Sequence, residues 1–180
     1  DKGNGLKTVY DQFQSATNMT DKTSALNLLI NHDKDDTYAS SALADFYNQY
    51  KNENLVVNLW LQLQATNQQP GGLSRVQSLM EHESFTIKNP NKVRSLIGSF
   101  ASSNHLNFHD KLGTGYEFLG EQILKLNTLN PQVAARLVTP LTRWSDYEEP
   151  YANLMKKQLK VIKASPGLVS DVYEVVTKSL

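Results

Sequence analysis

The sequence contains no cysteine, no excess of charge of either sign and no long apolar run. Its 180 residues include 18 Lys or Arg and 18 Asp or Glu, so the formal net charge is zero. The lack of cysteine excludes disulfide bonds and thiolate metal sites, and it favours a reducing compartment. The balanced charge disfavours nucleic acid or an anionic membrane as a partner. Because no apolar run approaches the roughly 20 residues of a membrane span, we expect no embedded segment.

The first five residues show none of the features of a targeting segment. Asp1 to Gly5 include no methionine, no basic region and no apolar region, so we do not expect them to be a signal peptide. The sequence therefore predicts that Asp1 is the edge of a longer polypeptide.

Apolar residues recur with helical spacing along nearly the whole chain. Val93, Leu96, Ile97 and Phe100, for example, lie at i, i+3, i+4 and i+7, which places them on one helix face. No run alternates as a strand would between hairpin turns. The sequence predicts an all-α fold for residues 1–180, a superhelical array of antiparallel helix pairs of the ARM/HEAT type.

Two helix starts share one pattern. Asn89 precedes Pro90, and Asn130 precedes Pro131, about 40 residues further on. An asparagine before a helix accepts from free backbone N–H groups, and a proline at the first helical position has no N–H to leave unpaired. The spacing is typical of stacked helix-pair repeats.

The histidines do not form a metal site in sequence. His82 and Glu83 begin like a zinc-peptidase motif, but the second histidine that the motif needs is absent. His105 and His109 lie four residues apart, with Asp110 adjacent, and they have no clear third ligand. We therefore expect neither a bound metal nor a catalytic centre in this chain.

The second Asn-Pro helix carries a polar face. Gln132, Arg136, Thr139 and Arg143 fall at i, i+4, i+7 and i+11, along one side of a helix. From the pattern alone, a solvated face is favoured. The alternative is that Arg136 and Arg94 point into a groove, where the planar guanidinium suits a carboxylate or peptide carbonyls.

Several short sequence segments resemble the C-terminal helical domain of the bacterial aminopeptidase N family, the alanyl aminopeptidases among the zinc gluzincins. They occur in the same order as in the family, from about Phe13 to the end of the chain. Together they are more specific than any one of them alone. They are Ala16–Asp21, Ser84–Thr86, Asn89–Gly98, Gly113–Tyr116, Asn130–Leu137 and Asp171–Glu174.

The resemblance implies a role in a larger enzyme. Members of the family remove N-terminal residues from peptides, with a zinc-activated water as nucleophile. Their C-terminal α-superhelix caps the active-site chamber and restricts which peptides enter. By resemblance, residues 1–180 are this domain, a fragment of a multidomain cytoplasmic enzyme. Its partners are the other domains of the same polypeptide and peptide substrates, and zinc belongs to the parent enzyme.

The resemblance also implies roles for individual residues. Gln132 matches a family position that reaches the pocket for the substrate's first side chain. Arg94 and Arg136 match family arginines that line the chamber and can meet the downstream peptide or its carboxylate. The zinc ligands, the general base and the amine-binding glutamates have no counterparts here, so we expect no hydrolysis by this chain alone. The competing interpretation is a free-standing helical-repeat scaffold that binds a protein or peptide.

Overall fold

The protein is a succession of short helices in a computed structural model that describes the backbone of residues 2–180 and the side chains from residue 5 onward. Within this range there is no β-strand, and the predicted all-α fold is confirmed. A π-helical turn, Arg94–Gly98, separates α6 from α7, and a 3-10 turn, Trp144–Asp146, follows α11. The helices are α1 Lys2–Ser15, α2 Met19–His32, α3 Ala39–Tyr50, α4 Asn54–Ala65, α5 Gly72–Met80, α6 Pro90–Val93, α7 Ser99–Ser103, α8 His105–Phe108, α9 Thr114–Leu129, α10 Pro131–Leu137, α11 Thr139–Thr142, α12 Tyr151–Ala164 and α13 Ser170–Ser179.

Both Asn-Pro helix starts form as predicted. Asn89 Oδ1 accepts from the backbone N–H of Asn91 at 3.0 Å, and Pro90 is the first residue of α6. Asn130 Oδ1 accepts from the backbone N–H of Val133 at 3.2 Å before α10. In each case the side chain satisfies an N–H group that has no partner within the helix.

Two local predictions need correction. Thr20, a residue type that caps helices, with the negative charge of Asp21 directly after it, is predicted to cap the second helix. In the structure α2 begins at Met19 and its cap is Asn18, which accepts from the backbone N–H of Asp21 at 2.9 Å. The residues from 102 to 114 are predicted to be irregular, yet they include the four-residue helix α8. Such a short helix has no periodic stripe for the sequence to show, and tertiary contacts hold it.

The helices pack both on their neighbours along the chain and on segments further away in sequence. α1 packs on α2, α4 on the π turn, α9 on α10 and α12, and α10 on α13. The core between them is apolar, and the ring of Phe100 lies 5.8 Å from that of Phe108 and 6.1 Å from that of Phe118. In residues 2–180 no helix combines the length and apolar character needed to cross a membrane.

Amide side chains join successive corners of the array. Asn31 Oδ1 accepts from the backbone N–H of Gln68 at 2.9 Å, 37 residues along the chain. Asn104 Nδ2 donates to the carbonyl oxygen of Asn67 at 2.9 Å, again 37 residues apart. Asn127 contacts the loop between α12 and α13 in the same manner. Their similar separations agree with the repeat spacing of the two Asn-Pro starts.

The start of α9 passes so close to α8 that only glycine fits at position 115. A Cβ on Gly115 would lie 2.3 Å from the carbonyl oxygen of Phe108, a backbone atom that cannot swing aside. We expect Gly115→Ala to lower the free energy of unfolding by about 2 kcal/mol or more, measured by urea denaturation.

The matched control is Gly5→Ala, because a Cβ at that exposed helical position would meet nothing within 4 Å. We expect it to leave stability unchanged or to raise it by up to about 1 kcal/mol, since alanine is the better helix former. Equal effects from the two substitutions would contradict the close approach of α9 to α8.

Candidate functional site: an arginine-lined groove

A groove of about 390 Å³ lies where the π turn and α7 meet α8, α10 and α11. Three arginines line it, together with small, hydroxyl and apolar side chains. None of its lining residues, all in the described part of the chain, is acidic. The residues that line it are Arg94, Gly98, Ser99, Ala101, Ser102, His105, His109, Val133, Arg136, Leu137, Thr139, Pro140, Arg143 and Tyr147.

The π turn shapes one wall of the groove. At its end the backbone N–H of Ser99 donates to the carbonyl oxygen of Arg94, and Ser99 Oγ donates to the same oxygen at 3.2 Å. Such a turn inserts one residue into a helix, so it changes the direction in which the following side chains point. Leu96 and Ile97 of the turn are fully buried, which leaves Arg94 and Ser99 toward the groove.

The three arginines differ in what holds them. Arg94 Nη1 donates to Asn91 Oδ1 at 3.0 Å, a neutral partner. Arg143 Nε forms an exposed ion pair with Asp146 Oδ2 at 2.9 Å. Arg136 has no hydrogen-bond or ion-pair partner among the described residues, and it is exposed. Arg136 is therefore the cation most available to an anionic ligand.

Aromatic rings form another part of the lining. The ring of His109 stacks on that of Tyr147 at 4.5 Å and lies parallel to that of His105 at 5.8 Å. His109 Nδ1 is 2.7 Å from the hydroxyl oxygen of Tyr116, whose side chain is fully buried. Burial, and secondarily the charge of His105, lowers the pKa of His109 to about 4. His109 is therefore a neutral hydrogen-bonding and stacking group at neutral pH.

The low pKa of His109 makes stability depend on pH. An unfolded histidine has a pKa of about 6.5, so between there and about pH 4 the unfolded chain binds more protons than the folded one. Stability from this group is complete above pH 6.5 and is lost as the pH falls. We expect a loss of about 1 kcal/mol between pH 7 and pH 5, because partial exposure screens the effect.

The measurement is urea unfolding of the wild type and of His109→Phe at both pH values. The phenylalanine keeps an aromatic ring but cannot titrate, so the loss on acidification should shrink. His32→Gln, which removes an exposed histidine, is the control and should keep the wild-type dependence. An unchanged pH dependence in His109→Phe would contradict the role given to His109.

The residues do not fit a zinc ion. No group of three or more His, Asp or Glu side chains able to hold a metal occurs among the residues that the structure describes. His82 Nδ1 is 2.8 Å from Ser84 Oγ, and its ring lies against those of Tyr47 and Trp60. Asp110 is turned away from the histidine pair, since its Oδ2 accepts from Thr114 Oγ1 at 2.6 Å at the start of α9.

The sequence-predicted site residues are only partly brought together. Arg94 and Arg136 line the same groove, on different helical segments, and Arg143 joins them. Gln132 is exposed at the start of α10, one turn before Arg136, and it does not line the groove. Sequence reasoning missed Tyr147, whose position after the 3-10 turn carries no periodic signal.

An ARM-type α-solenoid with a basic groove is the class of protein that the fold and this site define. A family model described as a domain of unknown function with ARM repeats, DUF3458_C, matches residues 1–180. The chain belongs to this family.

The chain is also similar to much longer proteins. It is 39% identical to aminopeptidase N of Haemophilus influenzae over 99% of this chain and 20% of that protein. It is 39% identical to aminopeptidase N of Escherichia coli over 96% of this chain and 20% of that protein. The chain thus spans about a fifth of the length of these curated relatives. The predicted resemblance to the C-terminal helical domain of bacterial aminopeptidase N is confirmed.

A solved structure supports the same relationship. Legionella pneumophila aminopeptidase A, solved in complex with aspartic acid, superimposes with a TM-score of 0.92 and 34% sequence identity. The match covers 98% of this chain and 21% of the Legionella chain. The predicted ARM/HEAT-like array is therefore confirmed by a related protein as well as by the helices themselves.

Proposed function

We propose that residues 1–180 are the C-terminal domain of a longer, cytoplasmic, zinc-dependent aminopeptidase N that removes N-terminal residues from peptides. In that enzyme the domain caps the active-site chamber and restricts which peptides enter. The observation that carries this proposal is the match to aminopeptidases N, at 37–39% identity over 96–99% of this chain but only 20% of each relative.

The groove supports a role in binding peptide substrates. Arg136 lacks a partner in the described part of the chain, and Arg94 is held only by a neutral amide. With no acidic residue in its lining, the groove favours anions. Since a guanidinium can donate two parallel hydrogen bonds, Arg94 and Arg136 suit the C-terminal carboxylate of a short peptide or an acidic side chain.

Gln132 has a separate place in the proposal. It lies one turn before Arg136, exposed and outside the groove lining. We propose that its amide reaches the pocket for the substrate's first side chain, and that other domains of the enzyme complete this pocket.

The chain itself performs no chemical step in this account. We place the catalytic centre in the rest of the polypeptide, and the lack of a zinc-binding cluster among the described residues agrees with this proposal. Arg94, Arg136 and Gln132 act by binding and orienting the peptide. Binding energy realised on such remote parts of a substrate can position the bond that reacts.

The proposal is tested by comparing this chain with the longer polypeptide encoded upstream of it in the same reading frame. Both are purified, and zinc content and hydrolysis of an alanyl anilide are measured. We expect zinc and turnover in the longer polypeptide and neither in the 180-residue chain. A reading frame without upstream coding sequence would instead favour the free-standing scaffold, and zinc-dependent turnover by the chain alone would overturn the division of roles.

A further inference from the structure

A second cavity, of about 360 Å³, lies beside the connector between α2 and α3 and the start of α5. It shares no lining residue with the arginine groove. Two opposite charges, Asp33 and Arg75, line it together with the apolar side chains of Ile30, Leu43 and Pro70.

Asp33 has one oxygen in use and one free. Its Oδ2 accepts from the backbone N–H groups of Tyr38, at 2.5 Å, and Ala39, at 2.9 Å, at the start of α3. Only 6% of the residue is exposed, so its Oδ1 is shielded from solvent, yet this oxygen has no hydrogen-bond partner. The hydrogen bonds to Oδ2 account for the start of α3, whereas no interaction accounts for the burial of Oδ1.

Arg75 likewise has one guanidinium nitrogen that is hydrogen-bonded and one that is not. Its Nη2 donates to the carbonyl oxygen of Pro70 at 3.3 Å. Its Nη1 is shielded from solvent and has no partner. Burial lowers the pKa of Arg75. No ion pair joins Arg75 to Asp33, since the ion pairs in the described part of the chain all lie elsewhere.

An orphaned polar atom on a buried charge is costly, and native proteins leave few of them. Here a carboxylate oxygen and a guanidinium nitrogen are orphaned on two residues that line one cavity. The other ionisable lining residues are Lys34 and Asp36, so the four charges cancel. A cavity with both signs of charge and no net charge suits a small zwitterion better than a simple anion or cation.

We propose that this cavity binds a free α-amino acid with a small apolar side chain. Its ammonium group donates to Asp33 Oδ1, its carboxylate accepts from Arg75 Nη1, and its side chain packs on Ile30 and Leu43. The volume of about 360 Å³ admits such a molecule with a few waters of about 30 Å³ each. Because Asp33 Oδ1 and Arg75 Nη1 are both shielded from solvent in the unliganded structure, the proposal requires side chains around the cavity to move apart when the amino acid enters. The inference goes beyond the proposed function and does not depend on it.

The test is a titration of the ¹⁵N-labelled 180-residue chain with L-valine, followed by backbone amide shifts in NMR spectra. We expect saturable shifts at Tyr38, Ala39 and Arg75, with a dissociation constant of about 1 mM. Isobutylamine lacks the carboxylate and isobutyrate lacks the ammonium group. Each should bind at least about tenfold more weakly than valine, because each leaves one charge unpaired.

Variants separate this site from non-specific binding. Arg75→Gln and Asp33→Asn should each weaken valine binding by about tenfold or more, and the asparagine still offers an oxygen to the start of α3. Lys34→Gln is the matched control: it removes an exposed charge from the same cavity, and valine should still bind. Helical circular dichroism verifies that each variant is folded. Absence of saturable shifts, equal binding of isobutyrate, or unchanged binding in both Arg75→Gln and Asp33→Asn would overturn the proposal.

Discussion

Asn104→Ala is expected to lower the free energy of unfolding by about 3 kcal/mol. Asn104 is fully buried, and its Nδ2 donates to the carbonyl oxygens of Ala65 and Asn67, both at 2.9 Å. Its Oδ1 accepts from Asn107 Nδ2 at 2.9 Å. Alanine would remove the donor to the carbonyl oxygens of Ala65 and Asn67 inside the core, and each unsatisfied buried group costs about 1–3 kcal/mol.

For a chain of this length the same loss corresponds to a fall in Tm of about 6–12 °C, measured by thermal unfolding. The control is Asn153→Ala, which removes an exposed amide on α12 that donates a hydrogen bond to Glu149, just before that helix. It should change the free energy of unfolding by no more than about 0.5 kcal/mol. A small effect at Asn104, similar to that at Asn153, would mean that the corner between α4 and α7 is not held by this side chain.

Arg136→Ala, made in the longer aminopeptidase that we propose, is expected to raise KM for tetrapeptides by about tenfold or more. The reason is the loss of an unpaired guanidinium that would otherwise bind the downstream end of the peptide, and a hydrogen bond to a charged group contributes about 1.5–3 kcal/mol. KM for a single-residue alanyl anilide should change little, because that substrate does not reach the groove. Steady-state kinetics with both substrates provide the measurement.

Two further variants separate charge from geometry at this position. Arg136→Lys keeps the charge but loses the planar fork, so its KM should lie between those of the wild type and Arg136→Ala. Lys160→Ala removes an exposed charge from α12, away from the groove lining, and should behave as wild type. An equal rise in KM for the tetrapeptide and for the anilide would contradict a contact with the downstream peptide.

The sequence predicts the fold well because the fold is repetitive and local. The apolar stripes of α2 and α9 and the asparagine caps at Asn89 and Asn130 depend on residues within a turn or two of one another. Such local signals are what helical periodicity and capping chemistry report.

The groove could be predicted only in part. Arg136, Thr139 and Arg143 have helical spacing in the sequence, which predicts a common side, although in the structure α10 ends at Leu137 and Thr139 belongs to α11. Arg94 lines the same groove because of the π turn and because segments far apart in sequence pack together, and neither can be read from a local pattern. Tyr147 reaches the groove through an irregular stretch, and no local pattern encodes that approach.

The cavity at Asp33 and Arg75 lies beyond sequence reasoning altogether. The two residues are 42 positions apart, and nothing in either local pattern relates them. Asp33 is recognisable as a residue that favours a helix start, but its second, unpaired oxygen becomes evident only when the surrounding atoms are placed.

The proposed role of Arg136 as a carboxylate-binding residue is tested most directly by a double-mutant cycle in the longer enzyme that we propose. The four measurements are kcat/KM for a tetrapeptide acid and for its C-terminal amide, each with wild type and with Arg136→Ala. We expect Arg136→Ala to reduce kcat/KM for the acid about tenfold more than for the amide, because only the acid presents a terminal carboxylate. Equal reductions for the acid and the amide would show that Arg136 does not bind that carboxylate.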